Sequence, residues 1–194
     1  MIAVSRGTAA KLEQFEALVR AENIHQNLVS ASTLTEFATR HVADGAQLIG
    51  LAPPQSSWCD IGSGAGLPGI VVAIITGDPV ALVEPRRLRA DFLRRACQAL
   101  ALDAIVIESK ADRMTGSYDV ITARAVADLA TLFAMTEHLA HSNTRWIFPK
   151  GRNAQKELDA ALQSWQGEFA VVPSETSDEA LIVVAERVRR RGKR

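Results

Sequence analysis

The sequence predicts an α/β protein with a mostly parallel seven-stranded sheet, an antiparallel hairpin at its C-terminal end and a helical extension at its N-terminus. Three observations carry this reading. Apolar runs of strand length alternate with stretches of helical period through the middle of the chain. One of those runs ends in Asp60-Ile61-Gly62-Ser63-Gly64-Ala65-Gly66-Leu67-Pro68-Gly69, a glycine-rich turn that opens a helix. The 194 residues, 47% hydrophobic and 23% charged, suit one globular domain with a modest extension. The expected division is a helical extension over 1–52 packed on the core, a main domain over 53–188 and a basic tail over 189–194.

The elements follow in order. Residues 9–22 place Leu12, Phe15, Leu18 and Val19 at helical spacing. Thr33, with Glu36 three positions on, reads as a capping box. The helix it starts runs through Leu34, Phe37, His41 and Leu48 and stops at Gly50, before Pro53-Pro54. Strands are then expected at 58–61, 80–84, 105–108, 118–122 and 145–148, with helices at 69–75, 86–100, 128–140 and 153–164. The alternation implies parallel pairing through right-handed crossovers. Strands 169–172 and 181–187 have no long helix between them and read as the closing hairpin.

Composition excludes several classes. No apolar run approaches the ~20 residues of a membrane span, and Met1 to Arg20 holds no signal-peptide core, so a cytoplasmic protein is expected. Cys59 and Cys97 sit in apolar patterns as buried thiols, and the four histidines form no ligand motif, so no metal is expected. Net charge is zero but uneven. The last nine residues hold six basic side chains and one acid, which leaves the rest with 16 basic against 21 acidic. A polyanion would therefore meet local patches rather than a basic body. The arginines of the 86–100 helix (Arg86, Arg87, Arg94, Arg95) read first as a solvated face.

The glycine-rich turn carries the chemistry. Glycines at alternate positions remove Cβ atoms from a tight turn, so a ligand can lie against bare backbone at a helix N-terminus. Asp60, at the strand's end, is placed to orient the loop or a ligand amine. Gly64 to Gly69 also matches GxGxxG, and Glu84 follows Gly64 by 20 residues, where the ribose acid of a dinucleotide site belongs. Pro68, however, offers no N–H to a pyrophosphate, and no GK[ST] follows for a P-loop. An acid, then glycines, then a second acid closing the next strand is the arrangement of S-adenosylmethionine (SAM) methyltransferases. An NAD-dependent oxidoreductase and a non-catalytic SAM-binding, RNA-binding module remain the rivals. The first needs a substrate domain, and residues 151–194 look too small for one.

Several segments, in order, resemble one family. They are "NLVSAS" (27–32), "RHVADG" (40–45), "DIGSGAGLPG" (60–69), "RADFLR" (89–94), "ITARAV" (121–126) and "FPKG" (148–151). Over roughly residues 24–187 the chain resembles the bacterial 16S ribosomal RNA guanine-N7 methyltransferases, also called glucose-inhibited division protein B. The resemblance implies a class I SAM-dependent methyltransferase, Rossmann-like in fold, that acts on 16S ribosomal RNA or a small-subunit precursor; a monomer is expected. It implies cofactor contacts at Gly62 and Leu67, at Glu84 (where Asp is usual), at the adenine-bordering pair Ala111-Asp112 and at Arg124. The glycine-loop reading adds Asp60, Gly64 and Gly66. Leu88 stands for a usual lysine, Gly45 for a serine, and His25-Gln26 for a frequent aromatic-Asn pair.

Guanine N7 has an in-plane lone pair and no proton, so this chemistry asks for no general base. Positioning alone can supply ~7–11 kcal/mol of barrier reduction. Arg124 and Lys150 are the candidate donors to guanine O6, with His41 a further catalytic candidate. His41 reads equally as a core histidine on the Leu34, Phe37, Leu48 stripe, and Arg40 with Asp44 as a surface ion pair. For RNA, the expected cationic rim is Arg40, His41, Arg124, Lys150, Arg189, Arg190 and Arg191.

Overall fold

The computed structural model describes residues 4–192. Its sheet has seven strands in the order β3-β2-β1-β4-β5-β7-β6. These are β1 (Trp58–Ile61), β2 (Val80–Val83), β3 (Ala104–Ile107), β4 (Tyr118–Ala123), β5 (Ala140–Lys150), β6 (Trp165–Pro173) and β7 (Leu181–Arg190). The first five pair in parallel, and β7 lies antiparallel between β5 and β6. Every residue of β1 and β2 is buried, which is why β2 reads as an unbroken apolar run and β1 as one broken only by Asp60. Strand order reverses at β1, so a crevice opens at the carboxyl ends of β1 and β4.

Helices cover both faces. On one face α1 (Arg6–Gln26), α4 (Gly69–Thr76) and α5 (Arg87–Leu100) enclose Phe15, Ile70, Leu82 and Phe92. On the other, α6 (Leu129–Thr136) and α7 (Ala154–Ala161) gather Trp146, Phe148, Trp165 and Phe169 around Phe133, with ring centroids 5.7–6.0 Å apart. The α4 stretch is apolar all round because it is buried all round.

The N-terminal extension differs from expectation. The continuous helix read from Thr33 is three pieces: α2 (Ala31–Leu34), a π-helical turn (Phe37–Val42) and α3 (Ala43–Ile49). Ser30, not Thr33, is the N-cap; its Oγ accepts from the Thr33 N–H at 3.3 Å, so the helix starts a turn earlier than the capping box suggests. The wide turn keeps Phe37 and His41 inside while Arg40 stays exposed. Elsewhere the expected helix 128–140 ends at Thr136 and a 3₁₀ turn, and β5 starts at Ala140.

The basic tail also differs. β7 continues to Arg190 because Gln166 and Trp165 supply partners for Arg189 and Arg190. Arg190 lies over the Trp165 ring, 5.0 Å from its centroid, and pairs with Glu137 at 2.9 Å. Arg191 donates to the Trp165 carbonyl. Lys193 and Arg194 lie outside the described residues. Among the described residues no helix is long and apolar enough to cross a membrane, and no group of three or more His, Cys, Asp or Glu side chains could hold a metal.

Candidate active site

The turn after β1 is tied down by its own backbone: Gly62 and Ser63 donate their N–H groups to Val83 at 2.8 and 3.0 Å. All three glycines have positive φ. Their roles differ. A Cβ on Gly62 would stand 2.6 Å from Val126 Cγ2, and one on Gly66 2.5 Å from Ile70 Cδ1, whereas one on Gly64 would meet nothing nearer than 3.7 Å. Bare backbone facing the cleft was expected at all three; a Cβ has room only at Gly64, and the other two let the protein's own side chains close in.

The two acids brace this turn. Asp60 is 1% exposed; its Oδ2 accepts from the Gly69 N–H at 3.2 Å, at the start of α4, and its Oδ1 has no hydrogen-bond partner among the described residues. Burial pushes its pKa up to about 7, against the pull of its hydrogen bonds and of Arg124. Of its two expected tasks, Asp60 performs the first, holding the loop to the helix. Glu84 is 3% exposed, and its carboxylate accepts from the Gly64 and Arg86 N–H groups, each at 2.9 Å. It ties the glycine turn to the start of α5.

Three cavities converge here. One of about 340 Å³ lies between Gly62 and the turn after β3, walled by Val83, Pro85, Ala111, Asp112 and Val126. A second, about 470 Å³, runs along Gly62, Gly64 and Leu67 to Arg40, His41 and Arg89. The first is apolar and suits a purine; the second is polar. Together with the open face at Gly64 they fit an adenosine joined to an amino acid. The third, about 500 Å³, opens past the end of β5, between Lys150, Glu157, Gln47 and Ser174. Asp44, Arg124 and Ala125 line both the second and the third.

Arg124 stands at that junction, one residue beyond β4. Its Nη1 lies 3.0 Å from His41 Nδ1 and 3.4 Å from Asp44 Oδ2. Burial holds the His41 pKa down at about 4, with Arg124 adding to the effect, so at neutral pH the ring is uncharged and Nδ1 accepts from the guanidinium. His41 is the core residue expected, 6% exposed and edge-on to Phe37, and it also supports the Arg124 guanidinium, a contact its sequence position did not suggest. Asp44 also accepts from Thr176 at 2.5 Å, which links α3 to the β6–β7 turn. It does not pair with Arg40, whose nearest carboxylate is Glu36 at 3.9 Å.

Two expectations are corrected. Lys150 lines the third cavity, but its ammonium is committed, donating to the Ala127 carbonyl at 2.6 Å and pairing with Glu157 at 2.8 Å. It clamps the loop after β4 and has two of its three donors already engaged there. Arg189, Arg190 and Arg191 are absent from the rim. β7 is antiparallel to β5 and pairs Leu181 with Lys150, so Arg190 lies nine residues away along the strand, about 30 Å from the cleft. Sequence reasoning missed Gln47, Glu157, Thr176 and Val126, which meet the site only through folding. The acid at Glu157, seven residues after Lys150, was the one local hint.

Residues 8–180 match the model of the GidB family, described as rRNA small subunit methyltransferase G. A protein named ribosomal RNA small subunit methyltransferase G from Rhizorhabdus wittichii is 44% identical over 98% of this chain and 90% of its own length. The chain belongs to this family. It is an rRNA methyltransferase with SAM as its methyl donor. A relative of the same name from Zymomonas mobilis is 38% identical, covering 95% of this chain and 88% of the relative. In fold, the methyltransferase is similar to a SAM-dependent methyltransferase from Aquifex aeolicus, with a TM-score of 0.64 at 12% identity over 81% of this chain and 98% of that one. A TehB-like SAM-dependent methyltransferase from Corynebacterium glutamicum gives 0.57 at 16% identity, covering 74% and 86%. Among the described residues after Gly151, β6 and β7 join the one sheet and α7 packs against it.

Proposed function

We propose that the methyltransferase methylates N7 of a guanine in 16S ribosomal RNA, acting as a monomer in the cytoplasm. The observation that carries this is the junction at Asp44, Arg124 and Ala125, where a cavity suited to the donor's amino-acid end meets a separate cavity of base size. Among the described residues at that junction, each acid or base is already engaged. Asp44 is held by Arg124 and Thr176, Glu157 by Lys150, and the neutral His41 accepts from Arg124. Guanine N7 loses no proton on methylation and needs no such group.

SAM supplies an electrophilic methyl group on a positively charged sulfur. The chain's residues hold and align. Gly62, Gly64 and Leu67 receive the donor along the loop, and Ala111 and Asp112 border its adenine. Glu84 takes the ribose hydroxyls on the lone pairs its backbone bonds leave unused. Arg124 keeps guanidinium donors beyond the Nη1 hydrogens that face His41 and Asp44, and these select guanine through O6. Asp44, beside it, offsets the positive charge that develops on the purine. Lys150 acts through the loop it clamps and is a positioning residue.

The test is direct. The protein is incubated with labelled SAM and 16S ribosomal RNA, the RNA is digested, and the labelled nucleoside is identified. Label in 7-methylguanosine at one site is expected; label elsewhere, or none, overturns the reading. Gel filtration of the purified chain tests the monomer.

A further inference from the structure

We propose that Arg86, Arg87 and Arg89 at the start of α5, with Arg40 on the π-helical turn, form the surface that docks the RNA, gripping the phosphodiester backbone beside the target nucleotide. This rests on the rRNA methyltransferase reading and adds a place where the strand lies. Pro85 lines the purine cavity and Arg89 lines the neighbouring one, so residues 86–88 sit on the lip between them. Arg40 lines the same second cavity.

The arginines of α5 divide sharply. Arg94 is bonded to Asp91 and Glu108, and Arg95 to Glu22 at 2.6 Å, so these two staple the helix to its neighbours. Arg86 and Arg89 have no ion pair among the described residues, and Arg87, 83% exposed, reaches Asp91 only at 3.9 Å. Three cations at the positive end of a helix that has no acid in its first turn work against the helix dipole. Folding gains nothing from that placement, but a bound polyanion would. Leu88, 70% exposed among them, adds apolar surface where a ribose or base can rest. On the same cavity wall, buried His41 keeps Nε2 without a partner among the described residues, an unused donor.

The C-terminal arginines contrast with these. Arg187 pairs with Glu168 and Arg190 with Glu137, and they stand at the far end of β7. The strongest run of positive charge in the sequence therefore lies away from the cleft, and the weaker run lies on it.

The experiment compares the full chain with an R86Q/R87Q variant and an R189Q/R191Q variant. Association with 16S ribosomal RNA transcribed in vitro is measured across a salt series, and SAM affinity by calorimetry. In the first variant the slope of log affinity against log salt is expected to fall by about 1.4, the loss of two single-strand phosphate contacts at ~0.7 each. SAM affinity and thermal midpoint should hold. The far-end variant should keep the parent's slope. An unchanged slope in R86Q/R87Q, or an equal fall in R189Q/R191Q, overturns the docking surface. A parent protein that neither binds nor methylates this RNA overturns the underlying reading instead.

Discussion

Arg124 has its direction set by neighbours from distant parts of the chain. Neutral His41 makes that arrangement sensitive to acid. Its folded pKa of about 4 lies below the ordinary 6.5, so between these values the unfolded chain takes a proton the folded chain refuses. Stability should fall as pH drops from about 6.5 to 4, and His41→Gln should flatten that limb in pH-dependent urea unfolding. Asp60 runs the other way: its folded pKa is raised to about 7, so its contribution is lost as pH rises from about 3.8 to 7. Asp60→Asn should unfold no earlier than the parent above pH 7; a lower midpoint there would show that the ionised carboxylate, not the protonated one, belongs to the native state. At Glu84, removal of the carboxylate strands the Gly64 and Arg86 N–H groups and removes the acceptors proposed for the ribose. Glu84→Ala should lose roughly tenfold or more in SAM affinity, and Glu84→Asp, one methylene short of spanning both, should fall between. Parent-like binding by the Ala variant would remove Glu84 from the site.

The elements around the cleft are held by single side chains. Lys150, on the last residue of β5, joins α7 through Glu157 to the loop that begins with Arg124 and includes Ala125 at φ +56. Lys150→Met leaves Glu157 without its cation and the Ala127 carbonyl without its donor, a cost of about 1–3 kcal/mol. The expected kinetic result is a lower kcat with SAM affinity nearly unchanged, since the clamped loop borders the base cavity. Equal losses in both would mean that Lys150 holds the whole fold rather than this loop. On the glycine turn, Gly64→Ala has room for its Cβ but keeps a left-handed φ, a strain of ~1–2 kcal/mol. Gly66→Ala adds a collision with Ile70 and should be the less stable of the two by thermal melting.

At the scale of the molecule, the cavities proposed for SAM have walls from β1, β2, the turn after β3 and the π-helical turn, so its binding there should stabilise the domain as one unit. At 100 times its dissociation constant, SAM should add about 2.7 kcal/mol, a rise of roughly 5–10 °C in Tm for a chain of this size. NAD at the same concentration should add nothing. A shift with NAD and none with SAM would favour the literal GxGxxG reading.

Local order was readable before folding. Strands β1 and β2, the glycine turn and helices α4 and α5 announce themselves because each is specified by neighbours within a turn or a strand length: apolar runs, positive-φ glycines, a 3.6-residue stripe. The hairpin and its place at the sheet edge follow from the missing crossover helix. Partnership was not readable. Nothing in the one-dimensional pattern shows that Asp44 leaves Arg40, four residues away, for Arg124, 80 away, or that Lys150 is spent on Ala127 and Glu157. The basic C-terminus looked like a rim because charge is legible in sequence and direction is not. Antiparallel pairing of β7 carries Arg189–Arg191 to the far end, while the modest Arg86–Arg89 run lands on the lip. Charges act through space, and only the packed sheet sets which of them are near.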